Sequence, residues 1–232
     1  ATGPTSVTQT SNDWMAYQMA LRPAKLTAPT PTPTVGELEI VNVGNSNSAS
    51  SGDSASISIT HGLNIQPGDV VLAFVHVNQN RRVTDNNGGN SFTEVIDQAG
   101  IDTNGYAIYS RIAGPSEPPT YRWDTSNSDR WSASIRVFRN VNTSNIWDVA
   151  PSAVNSNMSG STATAPSITI STPGAMGIVF VFSDAASLTQ NFSNPTNGYG
   201  NEVETGNQPQ ATYTRTWASA GTTGSVSVSL ED

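Results

Sequence analysis

The chain has 232 residues, of which 35% are hydrophobic and 12% are charged, and its formal net charge is -8 at pH 7. It contains no cysteine, which excludes disulfide scaffolds, thiol enzymes and cysteine-ligated metal sites. One lysine and nine arginines are too few for a nucleic-acid surface, because phosphate binding needs clustered cations.

Small uncharged polar residues dominate the composition, with 30 serines, 27 threonines and 22 asparagines. Such a chain has few strong helix formers, and its short apolar runs between Gly-rich and Asn-rich turns indicate β-strands. We therefore expect an all-β protein that folds as a two-sheet, jelly-roll-like β-sandwich. The composition is typical of proteins outside cells, on a cell surface or on a virion, and no apolar run is long enough to span a membrane.

The N-terminal segment differs from the rest of the chain. Residues 14–21, WMAYQMAL, are nearly as apolar as a central strand, and they precede a proline/threonine-rich stretch. Alternating Thr-Pro favours an extended, semi-rigid tether. We predict three parts: a donor or closing strand within 1–23, a linker over 24–36 and a β-sandwich over 37–232. The residues of the predicted strand that carry the contact are Trp14, Met15, Ala16, Tyr17, Met19 and Leu21.

The remaining strands are predicted from short apolar or alternating runs that recur every 10 to 20 residues or so. Val70–Val77 and Gly177–Phe182 are apolar on both faces and should lie in the middle of a sheet. Ser54–Thr60 and Trp131–Phe138 alternate and should face water on one side. The other predicted strands are 37–43, 91–96, 106–112, 120–123, 167–170, 212–217 and 225–230.

Aspartate and asparagine in predicted turns are candidate calcium ligands, because calcium prefers carboxylate and amide oxygens. The candidates are Asp85, Asn87, Asp124 and Asp129. Their spacing does not match an EF-hand, and Asx residues in turns usually bond their own backbone. Calcium therefore remains possible, and no cofactor is required.

Enzyme activity is not expected. The chain has two histidines, His61 after a predicted strand and His76 inside one, and no Ser/His/Asp pattern or nucleophile elbow accompanies them. His76 is expected to be a half-buried structural residue.

Exposed aromatic rings can stack on sugars, and Trp123 and Tyr199 are the loop candidates for such a role. Alternation places Trp131 in the core, and core packing is the favoured interpretation for these rings as a group. Three glycosylation sequons, at Asn142, Asn157 and Asn191, fall in predicted loops and are no more frequent than chance.

The order NIQPGDVVLAFV, GYAIYSRIAG, RWSASIRVFRNV and then DWMAYQMALRP resembles jelly-roll β-sandwich modules of extracellular bacterial, archaeal and phage surface proteins. Here the closing strand comes first. Residues 1–13 also align weakly with 220–232, after which that strand would be expected. This order resembles donor-strand-complemented surface filaments, in which an N-terminal strand completes the sheet of the next subunit.

The resemblance implies a structural subunit or repeat of an extracellular filament or adhesin, polymerising head-to-tail with other copies of itself. Insertion of an extra strand suits this role, since it adds backbone hydrogen bonds and fills alternate side-chain pockets. Pairing of the same strand within its own chain is the competing expectation. The alternative function is a carbohydrate-binding or receptor-binding module of a phage tail, capsid or secreted surface protein.

Overall fold

The computed structural model describes residues 14–25, 38–49, 53–79, 81–98, 105–151, 155–157, 161–183, 191–205 and 209–231. In these ranges the chain forms antiparallel strands and one 3-10 turn, Gly88–Asn90. None of the described helical segments is long and apolar enough to cross a membrane.

The strands are β1 (Trp14–Leu21), β2 (Val41–Ala49), β3 (Ser54–Thr60), β4 (Val70–Val77), β5 (Val83–Asp85), β6 (Thr93–Gln98), β7 (Gly105–Ile112), β8 (Thr120–Asp129), β9 (Trp131–Arg139), β10 (Trp147–Val149), β11 (Asn155–Asn157), β12 (Thr162–Ala165), β13 (Thr169–Ile170), β14 (Ala175–Ser183), β15 (Asn191–Ser193), β16 (Gly200–Thr205), β17 (Gln210–Trp217), β18 (Gly221–Thr222) and β19 (Val226–Glu231).

Two large sheets form the middle of the protein. The β9 sheet has the order β2-β9-β4-β7-β6, and the β14 sheet has the order β10-β1-β14-β17-β16, with β11 also paired to β1. Side chains from β1, β4, β7, β9 and β14 fill the space between them and form the central core. The prediction of an all-β sandwich is confirmed.

A smaller sheet covers the outer face of each large sheet. Strands β3-β8-β5 pack on the β9 sheet, and strands β12-β19-β15 pack on the β14 sheet. The protein therefore has four layers, and the central strands of the two large sheets are buried on both faces. This explains why every residue of β4 and β14 is buried, as their two-sided apolar sequences predict.

Strand β9 corrects the sequence interpretation. Its alternation predicted one face in water, yet its first eight residues are all buried. The polar face, which includes Ser132, Ser134 and Arg136, lies between the two large sheets instead. Polar side chains of β17 contact this face, and Gln210 donates to the Ser134 hydroxyl at 3.4 Å. Alternation therefore indicated a polar partner face rather than solvent.

Arg136 is the largest polar group in this layer and is fully buried. Its Nε donates to the Thr212 hydroxyl at 2.7 Å, and its Nη2 donates to the carbonyls of Asn201 and Thr212. Burial lowers the pKa of the guanidinium to about 10, an effect that the more distant Glu202 opposes. One arginine thus joins β9 to β16 and β17 across the sandwich.

The short strands were not predicted. Strands β5, β10, β11, β12, β15 and β18 have two to four residues each, mostly polar, and form by main-chain pairing with other strands. They lack the apolar alternation from which strands are recognised. Several predicted starts also move by two residues or more: the strands expected from 37, 91, 167 and 212 begin at Val41, Thr93, Thr169 and Gln210.

Replacement of Arg136 by alanine should lower the free energy of unfolding by roughly 3–5 kcal/mol, because it opens a cavity and removes the donor to the buried hydroxyl and carbonyl of Thr212. Chemical denaturation would measure the loss. The matched control is Arg122→Ala, which removes an exposed ion pair with Asp124 and should cost less than about 1 kcal/mol. Equal losses in the two variants would contradict this role for Arg136.

Candidate interaction site: strand β1 and its groove

Strand β1 lies inside the β14 sheet although it is first in the chain. It pairs with β14 along its whole length, from Trp14 opposite Ser183 to Leu21 opposite Met176. Its other edge pairs with β11 near the start and with β10 at the end. The predicted strand is therefore present with its expected bounds, and in this structure it occupies a groove of its own chain between β14 and β10/β11.

The inner face of β1 faces the central core. Met15, Tyr17, Met19 and Leu21 alternate along it, and the most exposed of them, Met15, is only 8% exposed. Full burial of each such side chain stabilises by roughly 1.5–3 kcal/mol. Removal of β1 would expose the opposite wall of this core, including Phe180 of β14.

A pair of tyrosines joins β1 to the other large sheet. The hydroxyl of Tyr17 donates to that of Tyr106 on β7, and the ring centroids lie 5.4 Å apart. Burial raises the pKa of both phenols, that of Tyr106 to about 12. Both hydroxyls therefore stay protonated at neutral pH and serve as uncharged hydrogen-bonding groups.

From Ala16 to Ala20 the outer face of β1 carries smaller side chains. Ala16 and Ala20 are fully buried, Ala16 against the core under the β12-β19-β15 sheet. Gln18 between them is 1% exposed, and its amide donates to the Tyr199 hydroxyl at 2.7 Å. Its carbonyl accepts from the Thr223 hydroxyl at 3.1 Å. The apolar contacts along this strand are thus interrupted on both faces, by Tyr17 and by Gln18.

The two ends of the predicted linker meet beside β1. Pro23 forms an isolated bridge with Val141, and the amide of Leu38 donates to the carbonyl of Ala24 at 2.8 Å. Lys25, the single lysine, is exposed. Residues 26–36 of the linker lie outside the described residues. The chain thus leaves the β14 sheet and re-enters the sandwich at one place.

The candidate calcium ligands are held by hydrogen bonds. The Asn87 amide donates to Asp85 Oδ1 at 2.6 Å, while Asp124 accepts from Asn86 at 2.5 Å and from Arg122 at 3.0 Å. Asp85, Asn87 and Asp124 thus share one network at the β5–β8 pair. The described residues hold no group of three or more His, Asp or Glu side chains that could bind a metal ion.

Asp129 has different partners. It accepts from the amide of Arg130 at 2.8 Å and lies 3.6 Å from the Arg81 guanidinium. The segment 124–129, which was expected to be a turn, lies within β8, where the pairing with β3 is irregular between Ser54 and Ser56. The polar sequence of this segment did not indicate a strand, although β8 continues through it with an irregular register.

Each histidine ring packs against an aromatic ring. His76 is fully buried with its ring 4.7 Å from that of Phe182, so it is more buried than expected. His61 stacks on Tyr121 with 5.0 Å between centroids, and burial lowers its pKa despite the nearby Pro118 carbonyl and Glu117.

The two loop aromatics are core residues. Trp123 is fully buried and Tyr199 is 5% exposed, so neither presents a ring to a sugar, and Trp131 lies in the core as expected. Sequence reasoning missed Trp147, which packs partly against the central core and lines a cleft of about 340 Å³ beside Ile112. The residues on either side of Trp147 in the sequence do not alternate between apolar and polar, so the sequence did not predict a partly exposed ring there.

The three sequons divide between loops and strands. Asn142 lies in the β9–β10 connection as expected, with its side-chain oxygen accepting from the amide of Ser144 at 3.0 Å. Asn157 belongs to β11 and Asn191 begins β15, so the loop prediction is wrong for these two. Both strands are three polar residues long and carry no periodic signal.

No known family model matches this chain, and no curated protein matches it significantly. Its interpretation therefore depends on its own residues and contacts.

Asp97 on β6 offers a pH test of the edge of the β9 sheet. Burial raises its pKa to about 6, with a further increase from Glu94 and an opposing effect of Arg82, which lies 3.1 Å away. A carboxyl whose pKa is higher in the folded state lowers stability when it ionises. The penalty is absent below about pH 4 and complete above about pH 6.

The Asp97→Asn variant should therefore be more stable than the unsubstituted protein at pH 7.5, by roughly 1 kcal/mol after allowance for solvent screening, and nearly equal to it at pH 4. Denaturant unfolding at the two pH values measures the difference. Glu39→Gln, at an exposed position, is the control and should show no such pH dependence. A stability gain independent of pH would contradict the assignment.

Proposed function

We propose that this chain is a structural subunit or repeat of an extracellular filament or adhesin, polymerising head-to-tail as β1 of one copy enters the groove of the next. One observation carries the proposal. A strand buried inside a sheet is joined to the sandwich through a proline/threonine-rich linker, and the residues on either side of that linker come together where Leu38 donates to the carbonyl of Ala24. The composition and the resemblance to surface modules support the extracellular setting.

The same contacts serve within one chain or between two chains. If β1 leaves its own groove and enters that of a neighbour, every pairing with β14 is recovered and only the path of the linker changes. Fully extended at about 3.1 Å per residue, the 13 residues of 24–36 would reach about 40 Å, comparable with the diameter of a compact domain of roughly 200 residues. Exchange of this kind is head-to-tail and need not close, so it builds a fibre.

Burial supplies the strength of such a contact. The four inner side chains of β1 contribute roughly 6–12 kcal/mol before ordering costs are subtracted, and main-chain bonds to β14 add specificity. Covalent reinforcement through disulfides is excluded, since the chain has no cysteine. Non-covalent strand insertion is therefore the mechanism of assembly that the residues favour.

The absence of cysteine also makes the proposal testable. Ala16 and Val181 are register partners on β1 and β14, close enough for a disulfide, so a double variant with cysteine at both positions records which strand fills which groove. After oxidation at high protein concentration, insertion between chains should give a ladder of covalent multimers on a non-reducing denaturing gel.

The single variants Ala16→Cys and Val181→Cys are the controls, and neither should give species larger than a dimer. Complete oxidation of the double variant with monomer as the sole product at every concentration would contradict assembly between chains.

A further inference from the structure

We infer that Tyr17 and Gln18 fix the register of β1 in its groove and select the strand that the groove accepts, so that the partner is a second copy of this chain. The identity of the partner rests on the proposed function, whereas the register does not.

The large-small alternation from Met15 to Ala20 does not by itself determine the register of β1. Met15-Ala16 and Met19-Ala20 repeat the same large-small pair four residues apart, with Tyr17-Gln18 between them. A shift by two residues keeps every side chain on its own face, large inside and mostly small outside. Between Met15 and Ala20 burial would therefore change little on such a shift, although Trp14 or Arg22 would come to a buried position that alanine fills in the observed register. Side-chain volume at the ends of the strand and polar contacts within it must therefore prevent the shift.

The two polar side chains supply those contacts on opposite faces. Tyr17 meets the Tyr106 hydroxyl in the central core, and Gln18 bonds both Tyr199 and Thr223 beneath the outer sheet. A two-residue shift would place Met19 or Met15 against Tyr106. It would also place alanine between Tyr199 and Thr223.

Buried groups that lose their hydrogen bonds are costly. Each unsatisfied partner disfavours the shifted strand by a factor of about 10 or more. The same penalty applies to any foreign strand that lacks a hydroxyl and an amide at these positions, however apolar it is. The groove therefore discriminates by buried polar groups as well as by volume.

Register can be read in the full-length chain by disulfide formation. The Ala16→Cys/Val181→Cys pair reports the observed register, and Ala16→Cys/Val179→Cys reports a shift by two residues, since in the observed register Val179 lies opposite Gln18. In the otherwise unsubstituted chain the first pair should form at least about ten times faster. Adding Tyr17→Phe and Gln18→Leu should raise formation of the second pair about tenfold relative to the first.

Partner selection is tested with a mixture of two full-length chains, one carrying Ala16→Cys and the other Val181→Cys. A mixed disulfide then requires β1 of one chain to lie in the groove of the other. Adding Tyr17→Phe and Gln18→Leu to the first chain should reduce the mixed product about tenfold, whereas Met19→Leu, an apolar control on the same strand, should change it little.

The outcomes separate the two claims. No mixed disulfide from the parent pair would overturn the proposed function and the choice of partner, while the single-chain pairs would still test the register. An unchanged ratio of the two single-chain pairs after Tyr17→Phe and Gln18→Leu would overturn the register assignment. Equal mixed product with and without these substitutions would overturn partner selection.

Discussion

Burial of β1 between β14 and β10/β11 is the interaction on which the rest of the structure depends. Its inner side chains complete the core between the two large sheets, and its outer side chains lie beneath a third sheet. Because every strand contact of β1 is with residues far along the chain, local sequence contributes little to its position. Packing against the sandwich therefore fixes the position of β1, and the linker only connects the strand covalently to the next part of the chain.

The four layers reconcile a polar composition with a well-buried interior. Only 35% of the residues are hydrophobic, yet the central strands of both large sheets are buried on both faces. The chain achieves this by burying polar side chains that bond one another, as Arg136 does with Thr212 and Gln18 with Tyr199. Such contacts restrict alternative packings, since a shifted strand would leave buried donors and acceptors unpaired.

Much of the fold could be predicted from the sequence because long strands carry periodic signals. The bounds of β1 and β4 agree with their apolar runs, and burial of Trp131 follows from alternation. What could not be predicted depends on partners distant in sequence. The polar face of β9 has the sequence pattern of a water-facing surface, and only its contact with β17 makes it a buried one. Three-residue strands such as β11 form only because a longer neighbour pairs with them.

The candidate site was predictable as a strand but not as a set of contacts. Apolar residues of β1 were identified directly, whereas Gln18 was passed over because an amide within an apolar run gives no sign of the Tyr199 and Thr223 groups that receive it. The candidate calcium ligands show a different case: residue type suggested a site, and the contacts of these carboxylates with neighbouring amide and guanidinium donors could not be predicted.

The most direct measurement of the central claim separates β1 from the chain. A protein lacking residues 1–23 should lose cooperative unfolding and aggregate, and a synthetic peptide of residues 12–23 should restore a cooperative transition in denaturant, because the groove needs the strand and not its covalent link. A truncated protein that unfolds cooperatively without the peptide, with the stability of the full chain, would contradict the account.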